Sequence, residues 1–401
     1  MRIGMILDDG FPPDPRVENE AMSLMTQNHE LFLFCIDYTH KQKKTEVING
    51  IHVHRVHLPK ILYSISALAY TLPIYHLILS IHIRRFLKKY QVDRLHIHDV
   101  QVARSVFWVN RFFGLPIVLD LHENRPEIMK YYQHVNTRLG KLLIRPATWK
   151  RFEFGYIKKA DRVITVTEEA AQYYAQETAE PMSKFCVVPN TVRKSFYTDH
   201  VMDEKIISAY KDSFTVLYLG DTGLRRGLLT VFEALPYLVP EIPNIKIVVV
   251  GKSKEGHILK GYVAENQHEK YVTFEGWQNF SLFPSYIAAA DIGICPIHRN
   301  LHHDTTYANK IFQYMAFGKP IVVSDCTSQE NLVKKYNCGL VFTEQNPRDF
   351  ADKVLALAKD ENYYQEISAN ASKAIQDHLN WSITSRNLQE LYKEENQWIK
   401  K

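Results

Sequence analysis

The run Gly220-Asp221-Thr222-Gly223-Leu224-Arg225-Arg226-Gly227 sets two arginines between glycines, directly after the apolar stretch "FTVLYL". Glycine lets a backbone come close to a ligand, and a following helix N-terminus adds the positive end of its dipole to the guanidinium charges. Such a loop suits a diphosphate. It carries neither the Walker lysine pattern nor G-x-G-x-x-G, so neither a P-loop ATPase nor a dinucleotide enzyme is indicated. A second group lies in "YANKIFQYMAFGKPIVVSD", where Lys310 and Gln313 stand three residues apart and share one face of a short predicted helix. Ile311, Phe312 and Met315 take the opposite face. Thr305, Thr306 or Asn309 would cap this helix, Gly318 is placed like a C′ glycine, and Pro320 follows. A lysine in a first turn opposes the helix dipole unless an anion is near. A third group, "LDDGFPPDPRVENEA", puts Gly10 after the first apolar run and Arg16 at the next helix start, again fit for an anion.

These groups all follow short apolar runs. The first half contains "RIGMIL", "LFLFCI", "IHVHRV", "RLHIH", "PIVLDLH" and "RVITVT". The second half contains "FTVLYLG", "KIVVVG", "YVTFEG", "DIGICPI", "PIVVSD" and "CGLVF". Strands buried on both faces read as continuous apolar runs, and helical patterns between them imply parallel sheets. The pattern predicts an α/β chain of two Rossmann-like doubly wound domains, joined near Pro189–Thr198 within "CVVPNTVRKSFYTDH". Ligands of such sheets bind beyond the carboxyl ends of the strands. That rule adds His98, Asp99, His122, Glu123, Trp277 and the loop 298–307 to the candidates, and it predicts a cleft where two sets of carboxyl ends face each other.

The chain has 401 residues, 46% apolar and 23% charged, which is ordinary for folded domains. A net charge of +5 is too mild to imply nucleic acid. Five scattered cysteines without a CxxC pair are expected to be free thiols in a reducing compartment. "MRIGMILDD" reads as a first strand and not as a signal peptide, so a cytoplasmic location is expected. Residues 61–83 approach the length of a membrane span, but Pro73, His76 and several serines and tyrosines make a core or interfacial helix pair the better reading. Residues 138–162 mix eight lysines and arginines with leucines and aromatics. That stretch fits either an anionic membrane surface or a solvated helix with its apolar side on the core.

Alternating histidines, His96 with His98 and His52 with His54, each share one strand face and could ligate zinc. No cysteine or carboxylate partner stands near them in the sequence, so they read as structural, His98 with Asp99 excepted.

Taken in order, "PPDPRVENEA", "LHIHD", "IVLDLHENRPE", "ADRVITVTEE", "VVPN", "LYLGDTGLRRG", "VVVG", "VTFEGW", "AADIGICPI" and "NKIFQYMAFGKPIVVSD" resemble a GT-B glycosyltransferase of the retaining family four, the glycosyl transferases group one. The resemblance implies an acceptor-side domain over 1–193, a nucleotide-sugar domain over 194–378, and a helix over 379–401 that returns to the first domain. It implies sugar transfer with retention from a nucleotide sugar, a UDP- or GDP-sugar foremost, to a saccharide or lipid-linked acceptor. No metal, cofactor or nucleic acid is implied, and the protein would work in the cytoplasm with peripheral contact at the inner membrane face.

By the same resemblance His122, Lys310 and Arg226 are the catalytic residues. Gly10, Arg16, Asp221, Arg225, Arg226, Trp277, Thr305, Lys310, Gln313 and Glu330 form the donor side, and His98, Asp99 and Glu123 the acceptor side. Two departures stand out. The family's pair of glutamates, eight positions apart, falls on Thr305 and Gln313, and its arginine before the lysine falls on Asp221. Glu330 or Asp304 is the carboxylate that would stand in. The missing acids also suit a non-catalytic sugar-nucleotide-binding subunit, and the fold also suits a sugar-nucleotide epimerase. Trp381 is expected to pack at the hinge.

Overall fold

The computed structural model describes residues 1–132 and 134–393. The helical expectation for the residues after Lys393 lies outside them. The chain forms two compact units, Met1–Pro189 with the segment from Ser385 onward, and Asn190–Thr384.

The first unit is built on strands β1 (Arg2–Ile6), β2 (Glu30–Asp37), β3 (Thr45–Ile48), β4 (Ile51–His57), β5 (Arg94–His98), β6 (Ile117–Leu121), β7 (Arg162–Thr165) and β8 (Phe185–Val187). Their order is β3-β4-β2-β1-β5-β6-β7-β8, and β3 alone runs antiparallel to its neighbour. The second unit carries β9 (Phe214–Leu219), β10 (Ile245–Val250), β11 (Val272–Gly276), β12 (Ile292–Cys295), β13 (Ile321–Ser324) and β14 (Gly339–Phe342), ordered β11-β10-β9-β12-β13-β14 and all parallel. Each expected apolar run forms a strand. Strands β3 and β8 were not expected. The former is a half-buried edge without a continuous apolar signal, and the latter takes up the first residues of the expected linker.

Strand order reverses between β1 and β5 in one sheet and between β9 and β12 in the other. A crevice opens at such a switch point because the connections leave to opposite sides. The loops there are 7–14 and 99 in the first unit, and 220–227 and 296–308 in the second, so topology sets most of the candidate residues at the mouths of two crevices.

Helix Ile74–Tyr90 buries Tyr75, Leu79, Ile83 and Phe86 against the first sheet. Among the described residues no helix is long and apolar enough to cross a membrane. The basic stretch 138–162 divides into helices Arg138–Leu143 and Pro146–Lys159. The longer one packs Trp149, Tyr156 and Ile157 into the core, and Lys150 lies over the rings of Phe154 and Tyr173. Helix Trp381–Lys393 starts in the second unit, where the Trp381 N–H donates to the Val192 carbonyl at 2.9 Å and the indole is buried. From Ser385 it belongs to the first unit, where Asn387 donates to the Val187 carbonyl at 2.9 Å.

Helix Asn309–Ala316 buries Ile311, Phe312, Tyr314 and Met315. No side chain caps it. Thr305 and Thr306 donate instead to the carbonyls of Leu301 and His302, each at 2.6 Å, because they close the preceding turn Leu301–Asp304. Gly318, at φ 66°, does terminate the helix as a C′ residue. The helix reaches its sheet through Gly293: a Cβ there would stand 2.2 Å from the Tyr314 ring, whose hydroxyl accepts from the Leu219 N–H at 2.8 Å. Gly293→Ala is therefore expected to force this helix off β12 and to cost about 1–3 kcal/mol, the usual range for overpacking. Urea unfolding followed by far-UV circular dichroism measures it.

Candidate functional site

The first unit centres on Asp120, the fully buried fourth residue of β6. A carboxylate out of water needs partners. Arg16, on the helix after β1, supplies two hydrogen bonds, Nη2 to Oδ1 at 2.7 Å and Nε to Oδ2 at 3.0 Å. His122 Nε2 lies 2.7 Å from Oδ2, and His98 Nδ1 lies 3.3 Å from the same oxygen. Arg16 also meets Glu20 at 2.9 Å and donates to the Val188 carbonyl at 3.1 Å. His96 Nε2 stands 3.1 Å from Glu20, and its Nδ1 is 2.8 Å from the Tyr392 hydroxyl on the last helix.

Two expectations change here. The carboxylate partners that the sequence did not offer to His96 and His98 are present, as Glu20 and Asp120, and the donor atoms of all four residues lie within 4.8 Å of one another. The Arg16 guanidinium already supplies the positive charge that this group needs. For the same reason Arg16, expected to meet a donor anion, is buried and committed to Asp120 and Glu20.

His122 is partly exposed and bracketed by carboxylates. Its Nδ1 lies 3.7 Å from Asp99, and its backbone N–H donates to Asp99 at 3.1 Å. Burial opposes its charge, but Asp120 and Asp99 outweigh burial and lift its pKa to about 10. The imidazole is a cation at neutral pH. Buried beside His96 and His122, His98 is instead pushed down.

Asp99 adopts φ 63° and ψ 161°, a region in which only glycine rests without strain. The cost is about 1–3 kcal/mol. The Asp99 N–H donates to the Asp120 carbonyl at 2.8 Å, so the ladder holds the strained residue where its carboxylate meets His122. Close by, Arg125 binds Glu123 and Gln101, each at 3.0 Å. Burial raises Asp8 to about 7, against the lowering pull of Arg125 and with the help of neighbouring Asp99 and Asp9. The signal for Asp8 and Arg125 was their position just after β1 and β6. Gly10 is not sterically required: a Cβ there would meet only the Ile36 carbonyl, at 3.7 Å.

The second unit holds a different balance. Lys310 Nζ sits 3.4 Å from the centre of the Tyr218 ring, and a Cβ on Gly220 would stand 3.5 Å from it. It makes no hydrogen bond or ion pair with the described residues. Burial pushes its pKa down to about 7, with Cys295 acting against that and Arg226 reinforcing it. Arg226 pairs with Asp221 at 3.2 Å, and Arg225 lies 3.2 Å from His303. Both arginines belong to a 3₁₀ turn, Leu224–Arg226, closed by Gly227 at φ 75°. A Cβ on Gly227 would lie 1.7 Å from the Pro296 carbonyl oxygen, so the arginine turn and the loop after β12 depend on that glycine.

Gln313 is half-buried and bonds to none of the described residues. The hydroxyl of buried Thr305 faces its own turn. Trp277, just beyond β11, is 65% exposed with Lys252 6.0 Å from its ring centre. Glu330 pairs with Lys334 at 2.6 Å, and Asp304 accepts from the Thr327 N–H at 2.8 Å. Glu255, which sequence reasoning missed, accepts from the Leu224 N–H at 2.8 Å and so braces the arginine turn. Its place after β10 was the available signal.

Comparison with solved structures defines the class. Sucrose-phosphate synthase from Thermosynechococcus elongatus superposes with a TM-score of 0.78 at 17% identity, over 99% of each chain. HepE from Anabaena in complex with UDP-glucose does so with a TM-score of 0.72 at 15% identity, over 98% of this chain and 100% of its own. The fold is GT-B. Residues 202–374 match the family "Glycosyl transferases group 1" and residues 16–196 match "Glycosyltransferase Family 4", so the chain belongs to this glycosyltransferase family. The phosphatidyl-myo-inositol mannosyltransferase of Mycobacterium leprae is 21% identical over 77% of this chain and 75% of its own length.

The raised pKa of His122 gives a signed expectation. Its protonated form contributes stability in full below the unfolded value of 6.5, and the contribution is lost as pH rises through about 10. In NMR titration the His122 ring should remain protonated at pH 8. Asp120→Asn should bring its pKa down by more than a unit and cost about 3–5 kcal/mol, as breaking one side of a buried pair does.

Proposed function

We propose that this glycosyltransferase moves a sugar from a nucleoside-diphosphate sugar to a saccharide or lipid-linked acceptor, with retention of anomeric configuration and without a metal. The carrying observation is Lys310, a buried lysine without an anionic partner among the described residues, beside Arg226 and the Gly220 turn. A diphosphate provides the missing anion. The bound UDP-glucose of HepE supports a nucleotide-sugar donor, and the relative acting on phosphatidyl-myo-inositol supports a lipid acceptor.

In this reading the second unit binds the donor. Arg226 exchanges Asp221 for the diphosphate, Lys310 becomes fully protonated against it, and Gln313 hydrogen-bonds a ribose or sugar hydroxyl without adding charge. Trp277 stacks on the base. Fixed cations stabilise the charge that develops on the leaving phosphate. The transition state is oxocarbenium-like. We favour front-face displacement: the acceptor oxygen bonds to the anomeric carbon as the phosphate departs, and the leaving phosphate oxygen takes the acceptor proton. The first unit binds the acceptor at His98, Asp99 and Glu123. His122, a cation held between Asp99 and Asp120, orients and polarises but does not abstract the proton. The protein would act in the cytoplasm, peripheral to the inner membrane face.

Kinetics, ligand binding and product analysis test this. Lys310→Met and Arg226→Ala should each lower kcat/KM by about 10²–10³, the range for removing one charge-stabilising group. In a thermal-shift panel wild type should be stabilised by UDP or GDP, and Lys310→Met much less so. Binding should also consume a proton between about pH 7 and 9, because the empty-site lysine is half neutral near pH 7 and the bound one is charged. Affinity therefore falls as pH rises above 7. Calorimetry in buffers of different ionisation heat detects the uptake, which Lys310→Met should abolish. Products that form only with acceptor distinguish transfer from epimerisation.

Gln313→Glu restores the acid that the family carries at this position, and retained or raised turnover is expected. Complete loss would mean that the pocket requires a neutral group there.

A further inference from the structure

Helices Lys60–Ser66 and Ile74–Tyr90 are apolar on both sides. The inner side is core. The outer side leaves Ile61 66%, Tyr63 61%, Ile74 49%, Leu77 53% and Ile81 54% exposed. Ile74, Leu77 and Ile81 fall on one helical stripe, which continues into exposed Arg84, Arg85 and Lys88. A second element joins this face. The Thr71 hydroxyl donates to the Leu143 carbonyl at 2.6 Å, which brings up exposed Leu142 with Lys141 and Arg145. Residues 47–92 and 128–152 contain no aspartate or glutamate, so the face is apolar at its centre, basic around it, and free of acids in both segments that build it.

We propose that this face of the first unit is a docking surface for an anionic lipid bilayer, with the helix pair lying in the interface plane and not across it. The occupant follows from the chemistry. Shallow apolar insertion ringed by Lys and Arg fits acyl chains beneath negative headgroups. A second copy of the chain seated on the same face would set the basic residues of one against those of the other. The surface also runs toward the loop after β1: the Tyr63 ring lies 5.4 Å from that of Tyr38, and Tyr38 follows β2 and stands close enough to Asp8 to feel its charge. The inference rests on the lipid-linked acceptor reading, because a lipid-borne acceptor would enter from this side. It assigns the contact to the helix pair; helix Pro146–Lys159, the longer part of the basic stretch, has its apolar side in the core.

The test uses the full chain and vesicles of phosphatidylcholine alone or with a third phosphatidylglycerol. Flotation should show at least tenfold stronger partitioning to the anionic vesicles, weakened by 0.5 M salt, where the screening length falls to about 4 Å. Leu77→Glu/Ile81→Glu should lose at least tenfold, and Arg84→Ser/Arg85→Ser/Lys88→Ser should lose the preference for anionic vesicles. Unchanged melting curves and an unchanged thermal shift with nucleoside diphosphate confirm that each variant is folded. Wild type that does not float, or variants that float as wild type does, overturns the proposal. Concentration-dependent sedimentation abolished by Leu77→Glu/Ile81→Glu overturns it in favour of a second copy. Vesicle binding without sugar transfer would leave the surface standing and remove the catalytic reading, so the two fail separately.

Discussion

The first unit depends on one buried negative charge. Asp120 lies inside the sheet, and its carboxylate is tolerable only because Arg16, His98 and His122 converge on it. These partners come from three connections, after β1, along β5 and after β6. Satisfying the carboxylate therefore fixes how three strand ends sit around the switch point. The strained backbone of Asp99 belongs to the same arrangement: its N–H is in the ladder, its carboxylate holds His122, and the geometry over-determines a conformation that the residue would otherwise leave. Through Glu20, His96 and Tyr392 the network also ties the last helix to the first unit. The unit is thus pre-organised around a fixed cation, His122, before any substrate arrives.

The second unit is organised on the opposite principle. There the charges are left partly uncompensated. Among the described residues Lys310 is shielded by the Tyr218 ring and pairs with no carboxylate, while Arg226 is held by partly exposed Asp221. A pocket that costs energy when empty gains most when an anion enters, because the ligand removes the desolvation penalty as well as adding attraction. The two positions where the family resemblance places acids are Thr305, which closes its own turn, and Gln313, which bonds to none of the described residues. Neutral residues at both positions leave this part of the second unit less negative than two carboxylates would.

Stability and surface chemistry meet in helix Ile74–Tyr90. Its inner face packs in the core, whereas its outer apolar stripe leaves Ile74, Leu77 and Ile81 half exposed to water. A stripe of this kind, merging into the basic segment Arg84–Lys88, is the feature on which the membrane-docking proposal rests.

How much was legible in the sequence follows from range. Strands such as β1, β9 and β13 were readable because burial on both faces leaves a continuous apolar run, and their placement at carboxyl ends follows from the doubly wound pattern. The shared face of Lys310 and Gln313 followed from a spacing of three. Local chemistry had its limits even so: Thr305 and Thr306 looked like caps but close the turn before, and β3 and β8 are too short or too exposed to leave a periodic signal. The Arg16–Asp120 pair spans 104 positions, and His96–Tyr392 spans 296. No periodicity records such partners, because Coulomb attraction and desolvation depend on distance through space and not along the chain. By itself the sequence determined the fold class and which residues stand at the crevice mouths. Only the tertiary structure decided that Arg16 is a structural counter-ion, that His122 is held charged, and that Lys310 pairs with no anion among the described residues, because each depends on neighbours far apart in the chain.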